Sequence, residues 1–210
     1  KSTSGDITLD NVTAGALVVT NNGTTAGSDI LGNVGGALDI AGTSSFTTAA
    51  SGADITLNTA TNDFTGSVTF AASSGSIASV TINDSNALEL QTLTTTGNLT
   101  VTAGGNITDS GTVTVGGNLA ATTNDNNGAI DLGTLAVTGS VGLTTHGNGA
   151  ATVVNATALD LAASTVGGVL SATATAGNIT QSGALDIEGT TTLVTIGQGA
   201  DIDLAANGTS

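Results

Sequence analysis

Few side chains in this sequence can do chemistry, and their types limit which chemistry is open to it. His146 is the only histidine and lies in Thr144-Thr145-His146-Gly147-Asn148, a stretch that predicts a turn. A nucleophilic triad needs a serine and an acid arranged around the imidazole. The strand pattern places neither there, so His146 reads as a solvent-exposed turn residue. Lys1 is the only lysine and reads as a chain-end residue; arginine and cysteine are absent. A disulfide, a thiolate metal site and a cysteine nucleophile are therefore excluded.

The sixteen Asp and Glu residues are the remaining candidates. Enzymes that cut acidic polysaccharides hold the anionic sugar with Arg, Lys or His, and this chain has almost none. A neutral-glycan hydrolase needs two carboxylates about 5–10 Å apart. Asp160 and Asp186 follow equivalent residues, Leu159 and Leu185, so stacked repeats would bring them to about 4.8 Å. That spacing also suits a shared calcium ion. The corresponding positions of neighbouring repeats hold Thr114 and Ala136, which ends any acidic row, and the pair reads as solvated surface carboxylates. Gly197-Gln198-Gly199-Ala200-Asp201 resembles part of a calcium-binding nonapeptide repeat. It occurs once, with Asp203 at an aliphatic position, and reads as a turn and strand. Thr102, Thr122, Thr144 and Thr173 share one offset from successive aliphatic anchors. Such an array could order water as in an ice-binding solenoid, but of the four only Thr102 is preceded by a paired threonine, in Thr100-Val101-Thr102. The row reads as β-branched residues favoured on a strand surface. No catalytic, cofactor-binding or metal-binding residue is assigned.

The elements that would position these residues follow from composition and periodicity. The 210 residues carry a formal charge of −15, with 31 Gly, no Pro and three Phe. Nucleic-acid binding needs cations and stacking rings, so it is excluded, as is attraction to an anionic membrane surface. No apolar stretch approaches the about eighteen residues of a membrane span. The sequence opens without an initiator Met or an apolar leader and is expected to be a mature or excised piece of a longer protein. With few sites for trypsin-like proteases or oxidants, it is expected outside the cell.

Self-similarity is internal and extended. Gly105-Asn106-Ile107-Thr108-Asp109-Ser110-Gly111 matches Gly177-Asn178-Ile179-Thr180-Gln181-Ser182-Gly183, and Ala37-Leu38-Asp39-Ile40 matches Ala184-Leu185-Asp186-Ile187. Each unit alternates apolar and polar residues, as a half-buried strand does. One set of anchors is Ile7, Ile30, Ile55, Ile77, Ile107, Ile130, Val153 or Val154, Ile179 and Ile202. A second runs Val12, Leu38, Phe64, Leu88, Val113, Leu135, Leu159, Leu185; a third runs Leu17, Phe46, Val68, Leu99, Leu119, Val141, Leu170, Leu193. The expectation is an all-β, right-handed parallel β-helix (β-solenoid) of about nine coils of about 24 residues, with three short strands per coil. It forms one continuous domain over 1–210, with no internal boundary. Phe46, Phe64 and Phe70 are expected inside it. Gly-Asn pairs at Gly97-Asn98, Gly105-Asn106, Gly117-Asn118 and Gly177-Asn178 are expected to form corners through the left-handed conformation glycine tolerates. The absence of proline suits strands that all need their N–H.

Gly105–Thr123 and Gly177–Leu193 resemble the β-helical repeats of large bacterial exoproteins of the filamentous-haemagglutinin type and of autotransporter-like adhesins, over nearly the whole chain. The resemblance implies a secreted or surface protein of a Gram-negative bacterium, forming a stiff and often adhesive stalk. The secretion-directing module of that family carries Asn-Pro motifs, which a proline-free chain does not contain. The expected function is a non-catalytic rod, a filament or adhesin stalk, that self-associates head to tail through open coil ends. It needs no cofactor; a host or cell-surface ligand is unidentified. A polysaccharide-binding or polysaccharide-degrading β-helix is the first alternative, and an ice-binding threonine array the second.

Overall fold

The computed structural model describes residues 5–205. Those residues contain short strands and turns and no helix. Stacked parallel strands form a β-solenoid of about nine coils. One inward row runs through most of the stack. Ile7 pairs with Ile30, Ile30 with Ile55, Ile55 with Val80, Val80 with Leu99, Leu99 with Leu119, Leu119 with Val141, and Val141 with Leu161. From Ile30 onward these aliphatics are buried. Each of them begins a coil, numbered here 1 to 8 from Ile7. No coil could cover its own apolar row, so each inward side chain is buried by the equivalents above and below.

The expected inward rows hold in part. Val12 stacks under Leu38, Val113 under Leu135, and Ile179 under Ile202. The expected coil length of about 24 residues holds only in the first part of the stack. The row just described advances 23, 25 and 25 residues, then 19, 20, 22 and 20. A row followed by aliphatic residue type slips first within the strand Ser76–Asp84, where Ile77 stands three residues before the row's Val80, and then onto other strands as the coils shorten. Ile77 pairs with Ala53 and Thr95 rather than with Ile55 and Ile107. Ile107 lies over Leu88, Leu159 under Ile179, and Leu170 over Ala151. Val153, buried, faces inward over Leu132, whereas Val154 faces outward.

The change in coil length divides the rod into two sections. Coils 1 to 3 are long and enclose all three phenylalanines. Phe46 meets Phe64 edge to face at 6.2 Å and stacks with Phe70 at 5.8 Å. Rings fill the wider cross-section that 23–25 residues enclose, and their pairing adds to the area they bury. Coils 4 to 8 are shorter, and aliphatic residues and alanine fill them.

The turn glycines act differently from the expectation. Of Gly97, Gly105, Gly117 and Gly177, only Gly177 has a left-handed φ, 77°. Gly97 and Gly117 are required by close approach between coils, whereas a Cβ on Gly105 would come no closer than 3.3 Å, to Ala87. A Cβ on Gly117 would lie 2.8 Å from the carbonyl carbon of Gly97, and one on Gly139 2.7 Å from that of Gly117. Gly117 N–H donates to Gly97 O at 2.9 Å and Gly139 N–H to Gly117 O at 3.0 Å, so the corner is a stacked glycine column. Gly117→Ala is expected to cost about 1–3 kcal/mol, the range of a forced steric insertion. Gly133→Ala, whose Cβ would meet nothing closer than 4.0 Å, is expected to change stability by no more than about 0.5 kcal/mol. Denaturant unfolding of the two variants checks the contrast.

Candidate functional site

The residues singled out in the sequence do not converge. His146 ends the strand Ser140–His146 and is exposed. Its Nδ1 lies 2.7 Å from the carbonyl oxygen of Thr123 in the coil beneath. That contact requires the hydrogen on Nδ1, so the ring caps a backbone carbonyl. Asp160 and Asp186 belong to different rows, against the expected stack. Asp160 pairs with Ser140 and Thr180, whereas Asp186 pairs with Thr165. Asp160 accepts hydrogen bonds from the hydroxyls of Thr180 at 3.0 Å and Ser182 at 2.5 Å. The error has the same origin as the period: both follow an Ala-Leu pair, but the two pairs lie on different walls.

Gly197–Asp201 forms a turn closed by Ala200 N–H to Gly197 O at 3.1 Å, with a left-handed Gly199. Asp201 N–H donates to Asn178 Oδ1 and its carbonyl accepts from Ile179 N–H, so the segment completes a coil, as expected of a turn and strand. The threonine row is Thr102, Thr122, Thr144 and then Thr165. Thr173 sits instead between Val154 and Val194. The neighbouring row runs Thr56, Thr81, Thr100 and is then lost at Ala120 and Gly142. Lys1 lies outside the described residues.

Two arrangements of polar side chains escaped the sequence reading. The first is a seam along one corner. Asp6 Oδ1 accepts the N–H of Asp29 at 3.0 Å, Asp29 Oδ1 that of Asp54 at 2.8 Å, and Asp54 Oδ1 that of Ser79 at 2.9 Å. Ser79 Oγ accepts from Asn98 N–H at 3.2 Å, Asn98 Oδ1 from Asn118 N–H at 2.9 Å, and Asn118 Oδ1 from Ser140 N–H at 2.9 Å. Each coil thus satisfies the corner amide of the next, where the strand ladder is interrupted. Its sequence signal is an Asp, Asn or Ser immediately before or near each first-wall aliphatic residue. Asn106 and Asn178 do the same for Ala129 and Asp201 at another corner.

The second arrangement is internal. Asn21, Asn62, Asp84, Thr123, Thr145, Asn155 and Ser164 are buried, and most of them tie a chain reversal to the body of the rod. Asn62 accepts the N–H of Leu38 and donates to Leu57 O. Asn155 Oδ1 accepts from Val137 N–H, and its Nδ2 donates to Val137 O and Ala158 O. Asp84 occupies the same kind of corner with one hydrogen too few. Its Oδ1 accepts from Phe64 N–H at 3.1 Å and Asn86 N–H at 3.2 Å, while its buried Oδ2 has no partner. Burial holds this carboxyl above the ordinary aspartate range; the charge of Asp63 pushes the same way, and the backbone N–H groups oppose it. Among the described residues no group of three or more metal-ligating side chains comes together.

Comparison with known proteins gives one family. Repeats of unknown function (DUF5649) match residues 2–71, 78–126 and 148–210. No curated protein and no solved structure matches. The unmatched stretches, 72–77 and 127–147, include or adjoin the places where strand register shifts: around Ser76–Val80, between Thr122 and Asn126, and between Leu132 and Leu135.

The seam has a direct check. Asp54→Asn keeps the oxygen that accepts from Ser79 and is expected to be near neutral. Asp54→Ala strips that N–H of its partner and is expected to cost about 1 kcal/mol in denaturant unfolding. Equal effects for the two variants would show that the hydrogen bond contributes nothing.

Proposed function

The chain belongs to the DUF5649 family of repeats of unknown function, and for it we propose a structural, non-catalytic role: a segment of an extracellular rod that forms a bacterial cell-surface filament or adhesin stalk. The observation that carries this reading is the inward row from Ile7 to Leu161, unbroken over eight coils. A continuous parallel ladder resists extension, because pulling coils apart must break its hydrogen bonds and the packing between coils together. Outward-facing carboxylates and the net charge of −15 keep such a rod soluble and set neighbouring rods apart. The absence of cysteine and the near absence of lysine and arginine support an exterior location, as does the resemblance to haemagglutinin-type exoprotein repeats. The separation of Asp160 from Asp186, and the use of His146 on a backbone carbonyl, support a role without catalysis.

The proposal includes head-to-tail self-association. Ile7, Leu9, Val12, Ala14 and Leu17 at one end, and Leu185, Ile187 and Leu193 at the other, are only partly buried against the core. An outermost coil that no further chain covers would template further strands, and a head-to-tail contact between copies extends without closing. Electron microscopy of the purified chain over a range of concentrations tests the reading. Stacked coils predict a rod of about 40 Å per chain, and fibres with a layer line at about 4.8 Å. Separate short rods at every concentration would contradict head-to-tail assembly and leave a stalk segment. Compact particles with no long axis would contradict the rod itself.

A further inference from the structure

The step between the wide and narrow sections is also where the rod is least connected. Between coils 4 and 5 all three walls carry a parallel ladder: Val80–Asp84 with Leu99–Ala103, Leu88–Leu90 with Ile107–Asp109, and Leu93–Thr95 with Val113–Val115. Between coils 3 and 4 the first wall is laddered, Ser51–Leu57 against Ser76–Asp84. On the second wall, Asp63–Phe64 pairs with the coil below, at Asp39–Ile40, and with no strand above among the described residues. On the third, Val68–Ala72 pairs along its full length with Ser44–Thr48 below but only through Val68–Leu90 above, and Leu93–Thr95 of coil 4 meets coil 3 through the single pair Ile77–Thr95, with Thr96 N–H on Ile77 O and Gly97 N–H on Ala78 O. Coil 4 is six residues shorter than coil 3 and cannot follow the perimeter beneath it.

Two openings mark the mismatch. One of about 340 Å³ separates Thr65, Gly66 and Ser67 from Ala87, Leu88 and Glu89. The other, about 300 Å³, lies between Phe70, Ala71 and Ala72 and the row Thr92, Thr94, Thr96. Across the second wall the coils are joined by three hydrogen bonds: Ser85 N–H to Asn62 O at 2.7 Å, Asn86 Nδ2 to Asp63 Oδ1 at 2.6 Å, and Phe64 N–H to Asp84 Oδ1 at 3.1 Å. In the last of these a buried carboxylate replaces the missing carbonyl partner of a strand. The family match also breaks here, between residues 71 and 78.

We propose that the junction of coils 3 and 4 is a hinge, strapped by the first-wall ladder and latched by Asp84, and that it opens when Asp84 gives up its proton. Protonated, Asp84 is a neutral buried group that carries its own donor and holds Phe64 in place. Ionised, it leaves a charge in the core with one oxygen unpartnered, and parting the second and third walls is the route by which water reaches it. The groups that face it offer no compensation. Asp63, on the strand beneath, is an acid, and Asp39 stacks below Asp63. Glu89 on the following strand is exposed. The strand above, Leu99–Ala103, carries no titratable residue. Because folding raises the pKa of Asp84, its stabilising effect is complete below the ordinary aspartate value of 3.8 and is lost as pH rises through the raised one. The hinge is therefore closed in acid and loosened towards neutrality. This rests on the coil geometry and is independent of any role as a stalk.

Hydrogen exchange by mass spectrometry on the whole chain tests it, with rates corrected for intrinsic exchange, below the ordinary aspartate value of 3.8 and near neutral pH. Peptides covering 62–72 and 85–97 are expected to lose at least about tenfold more protection at the higher pH than peptides covering 99–103 and 119–123. In Asp84→Asn the difference is expected to vanish, with protection high at both pH values, because the amide supplies the missing hydrogen as Asn62 does one coil below. Asp63→Asn keeps Asp84 and removes the facing charge, so the transition is expected to persist and move to lower pH. Uniform protection along the rod would overturn the hinge. A pH step that survives in Asp84→Asn, or one abolished by Asp63→Asn, would overturn the latch.

Discussion

Everything in this molecule depends on one constraint: a coil of about 22 residues with three short strands cannot bury its own inward side chains. Burial comes from the next coil, and the next coil is held in place by the parallel ladder that repeats at about 4.8 Å. The composition follows from that dependence. Proline is absent because almost every strand N–H is needed on one side or the other. Glycine is abundant partly because the corners stack so closely that Gly97, Gly117 and Gly139 leave no room for a Cβ. Asp, Asn and Ser recur at the corners because the ladder breaks there and a short side chain can reach the amide of the following coil.

The same constraint explains why the rod has two sections. Coil length is free to vary in the turns so long as inward residues remain above inward residues, and a longer coil encloses more volume. In coils 1 to 3 that volume is taken by Phe46, Phe64 and Phe70, the only aromatic residues of the chain. Where the aromatic residues stop, the coil shortens; the second wall loses its partner at the step and the third keeps only isolated pairs. Packing and connectivity are thus set against each other at one place, and the buried Asp84 sits there.

The fold class was legible because alternation and repetition are strong signals when a sequence has so few residue types. The register was not. Ile7, Ile30 and Ile55 could be aligned because those coils differ by only two residues; Ile77 and Ile107 could not, because nothing in an apolar-polar alternation distinguishes one wall from the next. The false pairing of Asp160 with Asp186 and the substitution of Thr173 for Thr165 in the threonine row are consequences of that one ambiguity. The inward polar residues were missed for another reason. Asn62, Asp84 and Asn155 have the residue types of exposed turns, and only the position of the neighbouring coil turns them into buried caps. Asp and Asn look alike to a pattern, yet the hydrogen that one lacks decides whether Asp84 is satisfied.

The claim on which the account turns is the register of the stack, and methyl contacts test it most directly. Nuclear Overhauser measurements on selectively labelled Ile, Leu and Val methyls read out which aliphatic residues lie one above another. The stack described here predicts contacts between Val80 and Leu99, Leu99 and Leu119, and Leu119 and Val141. Contacts of Ile77 with Ile107, or of Val141 with Leu170, would require longer coils and contradict both the shortened coils and the step between the two sections.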